Sequence, residues 1–125
     1  MVDNIFCCAY IPGEPIILVL RIDQMKLEDA AKRCSELGNT TRLSIFRLLV
    51  RAGKDGLPVG DIQRNLDIPG STLSHHIQRL VQVGLVNQRR DSRTLYCEPQ
   101  FDAVRELTNY LVSECCSLQT QINKE

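Results

Sequence analysis

A chain of 125 residues with 43% apolar content, balancing fifteen Lys and Arg against fifteen Asp and Glu, can build one modest core. It has no apolar run near the ~20 residues of a membrane span, and no basic N-terminus followed by a long apolar stretch. Neither a membrane protein nor an exported one is expected, and a cytoplasmic setting makes its six cysteines reduced, metal-binding or redox-active rather than a disulfide framework.

Residues 1–25 stand apart as an N-terminal arm or extension. "IPGEPIILVLRID" carries two prolines and a β-branched run without helical period. An arm, an extra strand and an extension ahead of Met25 all remain open. A single domain is expected over 26–117, with a short C-terminal tail over 118–125.

From Lys26 the spacing predicts helices. Leu27, Ala30, Ala31, Cys34 and Leu37 form one apolar stripe, closed by Gly38. Asn39 can cap a second helix with Leu43, Phe46, Leu49 and Val50 inward, ending near Gly53. "KDGLPVG" reads as a turn, "DIQRNLD" as a short helix and "IPG" as its break. Gly70 or Ser71 then opens "STLSHHIQRLVQVG", whose inward face is Leu73, Ile77, Leu80 and Val81. The period then changes: "LVNQRR" and "RTLYCEP", joined at Asp91-Ser92, predict a β-hairpin. After Pro99 the helical period returns through Phe101, Val104, Leu107, Leu111, Val112 and Cys115.

Charge is unevenly spread along this series. Residues 71–95 hold Arg79, Arg89, Arg90 and Arg93 against Asp91 alone, whereas residues 98–125 are acidic. A local basic patch is the footprint that phosphate binding needs. Two short helices joined by a tight turn and followed by a hairpin make a winged helix-turn-helix, mainly α with a small β wing. With its apolar face inward, the second helix of the pair can offer Ser71, Thr72, Ser74, His75, Gln78 and Arg79 to a major groove. Arg89, Arg90 and Arg93 of the hairpin would reach backbone phosphates or a minor groove. The partner implied is double-stranded DNA.

"LGNTTRLSIFRLLV", "STLSHHIQRLVQVGLV" and "RRDSRTLYCEP", in that order, resemble the ArsR/SmtB family of metal- and stress-sensing winged-helix repressors, and the resemblance covers roughly residues 26–117. It implies DNA contacts from Ser71, Ser74 and His75, with the wing arginines on the backbone. It also implies a homodimer, built by the first and last helices, on a palindromic operator. His75 and His76 are neighbours on a helix and diverge by about a quarter-turn, so they make a poor chelate. His75 is expected on DNA and His76 in partial packing.

The cysteines decide what such a repressor would sense. Cys34 lies on the first helix's stripe and is expected to be buried. The arsenic sensors of the family with a Cys-x-Cys ahead of the recognition helix find no counterpart here, since "VGDIQRNLDI" has no cysteine. The zinc sensors use His and Asp/Glu on the last helix, which here lacks histidine. The remaining likeness is to arsenic-responsive members with a vicinal pair at the end of the last helix, here Cys115 and Cys116. Soft thiolates favour thiophilic ions, so As(III), Sb(III) or methylarsenite is the expected inducer, with no permanent cofactor. A third thiol is needed. About fifteen helical residues at ~1.5 Å each hold Cys97 some 20 Å from Cys115 in one chain. If the last helices pair antiparallel, crossing near Glu106, Cys97 of one protomer faces Cys115 and Cys116 of the other. Cys7 or Cys8 is the rival third ligand. A repressor of the same fold sensing oxidants or reactive sulfur is the alternative. A thiol enzyme is not expected, because there is no Cys-x-x-Cys and a helix C-terminus disfavours thiolate.

Overall fold

The computed structural model describes residues 25–115 and residue 118. The expected arm and tail therefore lie outside the described residues, apart from Met25 and Leu118. The described chain falls into two units, Lys26–Arg105 and a smaller one of Met25 with the described residues from Glu106 onward.

The larger unit opens with α1 (Leu27–Leu37), which Gly38 ends by donating its N–H to Ser35 O. Of its apolar stripe, Ala30 is buried and Leu37 half-buried, but Leu27 is 67% exposed and Cys34 is exposed too. The expected burial of Cys34 is thus corrected. At about 100° per residue, Ala30 and Leu37 share one side, while Leu27, Ala31 and Cys34 lie 40° or more around from Ala30. The stripe is wider than the surface that covers it.

Asn39 caps α2 (Thr40–Ala52) as expected, its Oδ1 accepting from the Arg42 N–H at 3.1 Å. Such a cap stabilises a helix by about 1 kcal/mol. The inward set is Ile45, Phe46 and Leu49, whereas Leu43 is 43% exposed. Phe46 and Leu49 thus face inward as expected and Val50 is half-buried, while Ile45, one turn before Leu49, joins them in place of Leu43.

The expected turn contains a strand. β1 (Leu57–Pro58) pairs antiparallel with β3 (Thr94–Pro99), Leu57 opposite Cys97 and Pro58 opposite Tyr96. Proline is tolerated because β1 is an edge of the sheet order β1-β3-β2. Gly56, with φ 71°, lets the chain approach that sheet; a Cβ there would lie 2.9 Å from Glu98 Cα and closer still to the Cys97 carbonyl.

Next come α3 (Val59–Leu66) and α4 (Gly70–Gln82), separated by Asp67, Ile68 and Pro69. Asp67 is left-handed at φ 51° and donates its N–H to Gln63 O at 2.8 Å, closing α3 so sharply that α4 starts in a new direction. Leu73, Ile77 and Leu80 of α4 are buried and Val81 is half-buried, as their spacing predicts. β2 (Val86–Asp91) and β3 then form the wing. Asp91 still pairs with Thr94, so the loop is Ser92-Arg93, one residue later than expected, with Ser92 at φ 57°. A two-residue hairpin needs positive φ there to match strand twist. Ile45, Leu49, Ile62, Leu73, Leu80 and Leu85, none with exposed surface, centre the core and fix α4 against the sheet. The last helix, α5 (Phe101–Val112), crosses into the smaller unit, where Leu107 is buried but Leu111 and Val112 are 61% and 44% exposed.

Candidate nucleic-acid interface

With α4 anchored by its apolar side, Ser71, Thr72, Ser74, His75, Gln78 and Arg79 are all exposed, as the sequence predicts. No side-chain oxygen caps this helix. Its first-turn N–H groups are therefore not taken up by a side-chain cap, and a helix N-terminus of this kind attracts phosphate.

The six residues differ in freedom. Arg79 directs Nε to Glu36 Oε2 at 3.1 Å, and the same oxygen lies 3.1 Å from Arg42 Nε. Arg42 Nε also reaches the Glu36 carbonyl at 2.7 Å, and Arg42 Nη1 meets His76 Nδ1 at 3.3 Å. The end of α1 is thereby tied to α2 and to the middle of α4. Neither Glu36 nor Arg42 is identifiable from the sequence, because their partners lie up to 43 residues away. His76 is half-buried, as expected. Burial chiefly, then the Arg42 charge and His75, push its pKa below the ordinary 6.5. It accepts from Arg42 as a neutral ring. The His75 and His76 ring centroids are 5.9 Å apart and tilted, which suits no chelate.

The wing sorts its arginines. Arg89 donates from Nε to Glu98 Oε1 at 2.6 Å, approaches Asp91 at 3.7 Å and stacks 4.6 Å above the Tyr96 ring. The Arg89 hydrogen bond holds the Glu98 carboxyl below its usual range and raises the pKa of Arg89 itself. Arg89 is thus committed to the wing. Arg90 and Arg93 are exposed and make no ion pair among the described residues. Between wing and helix runs an open groove lined by Ser74 and Gln78, by Gln88, Arg93 and Leu95, and by Val59. Gln88 was not singled out from the sequence; the hairpin register, which sets it opposite Cys97, is the signal that could have found it.

The thiols take separate positions. Cys97 lies on the central strand with its side chain in the core and no exposed surface. Burial raises its pKa, against a weaker opposing hydrogen bond from Gln88, and so disfavours the thiolate that binds metals. Cys97, expected as the third ligand at the end of the wing, thus lies in the core with a paired strand on either side. Cys115 is half-buried and disulfide-bonded, while Cys7, Cys8 and Cys116 lie outside the described residues. Among the described residues no three His, Cys, Asp or Glu side chains group as a metal site, and no helix is long and apolar enough to cross a membrane.

A helix-turn-helix domain family matches residues 37–89, spanning α2, both helices of the motif and the start of the wing. The chain is 34% identical over 84 residues to the nodulation protein NolR of Rhizobium meliloti, covering 67% of this chain and 66% of that protein. It is 34% identical over 83 residues to a putative arsenical resistance operon repressor of Halobacterium salinarum, covering 58% and 64%. The match thus spans just under two thirds of the length of these two relatives. An uncharacterised helix-turn-helix transcriptional regulator of Methanocaldococcus jannaschii is 33% identical over 82 residues, 66% of this chain and 90% of its own. Among solved structures, an ArsR-like regulator from Rhodococcus superposes with a TM-score of 0.67 at 15% identity, covering 78% and 89% of the two chains. A homodimeric winged helix-turn-helix DNA-binding domain from Mycobacterium bovis gives 0.56 at 22%, covering 92% and 93%. The Halobacterium relative is named as a repressor, and the Methanocaldococcus and Rhodococcus proteins as transcriptional regulators. With the Methanocaldococcus relative covered over most of its length and a helix-turn-helix model over α2 to the wing, the chain belongs to the helix-turn-helix transcriptional regulators, and it has the winged-helix fold of ArsR-type structures.

Proposed function

We propose that this protein is a homodimeric repressor of a palindromic operator, released when a trivalent arsenical takes its cysteine thiolates. The observation that carries the DNA half is the groove that Arg93 shares with Ser74 and Gln78 of α4, with Arg90 exposed on the same hairpin and neither arginine in an ion pair among the described residues. Helix side chains would read base edges in the major groove, and the wing arginines would hold the phosphates. Leu27 of one unit, and Leu111 and Val112 of the other, are apolar and 44–67% exposed, side chains that a second copy would cover.

The inducer half rests on thiolate chemistry and on likeness to the Halobacterium repressor. Arsenite, antimonite or methylarsenite would enter at Cys115 and Cys116 after reduction. Cys97 would join only when the central wing strand opens. By linkage, whatever factor the inducer costs DNA affinity, DNA costs inducer affinity in return. A titration of operator release by arsenite, antimonite, methylarsenite and peroxide on the reduced protein tests this. Release by an arsenical, abolished in Cys115→Ser, is expected; release by peroxide alone would replace the inducer. A second reading, a thiol-redox repressor, rests on the same cysteines, which oxidants or reactive sulfur would convert to disulfides.

A further inference from the structure

Gln88 is a wing residue, half-buried, whose amide lies between two groups of unlike character. Across the hairpin it is paired with Cys97, so both side chains leave the sheet on the side that faces the core and α4. Its Nε2 lies 4.0 Å from Cys97 Sγ, and its Oε1 lies 3.3 Å from Gln78 Nε2 on α4. A thiol sulfur is a weak acceptor held immobile in the core. With Nε2 directed at that sulfur, the Gln88 amide presents its oxygen to α4. Gln78 must then present nitrogen to the wing. Its own oxygen and its second N–H are left for the open groove.

We infer that Gln88 is a positioning residue for operator reading: the wing turns Gln78 so that it offers an acceptor and one donor to a base edge. The inference rests on the proposed reading of α4 as the recognition helix. An oxygen acceptor beside a single N–H donor matches adenine, whose N6 donates and N7 accepts in the major groove. A Gln78 free to flip would accept other bases in its place. The wing thus acts on sequence choice without touching a base, and anchorage of Gln88 by Cys97 gives the buried thiol a part in that choice. Neither Gln78 nor Gln88 carries charge, so their effect separates from phosphate attraction.

The test uses the full chain and a randomised duplex library, with bound sequences counted for the parent, Gln78→Ala, Gln88→Ala and the double variant. Gln88→Ala is expected to lose about fivefold or more of the base discrimination at the one base pair per half-site where Gln78→Ala also loses it. In the Gln78→Ala background it should add nothing. Thermal midpoint and salt dependence, measured alongside, should stay at parent values, which a merely structural role for Gln88 would not allow. If Gln78→Ala relaxes one base pair and Gln88→Ala leaves that preference intact, the inference is overturned while the recognition-helix reading stands. If Gln78→Ala changes no preference at all, both fall.

Discussion

His76 shows how one side chain joins folding to the reading surface. It accepts from Arg42 as a neutral ring, and Glu36, Arg79 and His75 are the other ionisable groups of that cluster. Its pKa is lowered in the folded chain, so the unfolded chain takes up a proton first as pH falls through 6.5. Stability is therefore full above that value and declines below it, until the folded ring also protonates. Thermal midpoints of the parent and His76→Gln at pH 7.5 and 5.5 check this; the variant should lose less on acidification. Glu98, whose pKa is lowered by Arg89, acts in a separate window below its usual 4.5. The cysteines give a second expectation at this scale. In the native protein Cys97 should alkylate only after denaturation, as peptide mapping would show.

At the scale of elements, the helix-turn-helix order was legible because helical period and capping are local. Leu73, Ile77 and Leu80 face inward where their spacing puts them, and Asn39 caps where a cap residue precedes the period. What was not legible depends on partners far along the chain. β1 exists because Leu57 and Pro58 meet Tyr96 and Cys97, and no property of "KDGLPVG" reveals that. Cys34 lies on an apolar stripe in sequence, yet the rest of the described chain covers only part of it. The basic face was legible as composition but not as pairing, since Glu36 occupies Arg79, and Glu98 with Tyr96 occupies Arg89. Gly56 gives the element-scale prediction. A Cβ would strike backbone of the central strand, and φ 71° adds strain, so Gly56→Ala should cost about 2 kcal/mol or more, read by denaturant unfolding.

For the molecule as a whole, the apolar positions left exposed on α1 and at the end of α5 are those that self-association would bury. Leu27→Asp should shift sedimentation toward monomer and reduce operator affinity by losing the second half-site, while the unfolding midpoint of the monomer changes little. The central claim, however, concerns the reading surface itself: the unpaired wing arginines meet phosphate, whereas the paired one holds the wing together. The most direct measurement is the slope of log affinity against log salt for a selected duplex, compared across Arg90→Ala, Arg93→Ala and Arg89→Ala. The account predicts that each of the first two lowers the slope by about one phosphate contact, with Arg89→Ala lowering it less. Equal slopes for Arg90→Ala, Arg93→Ala and the parent would contradict it.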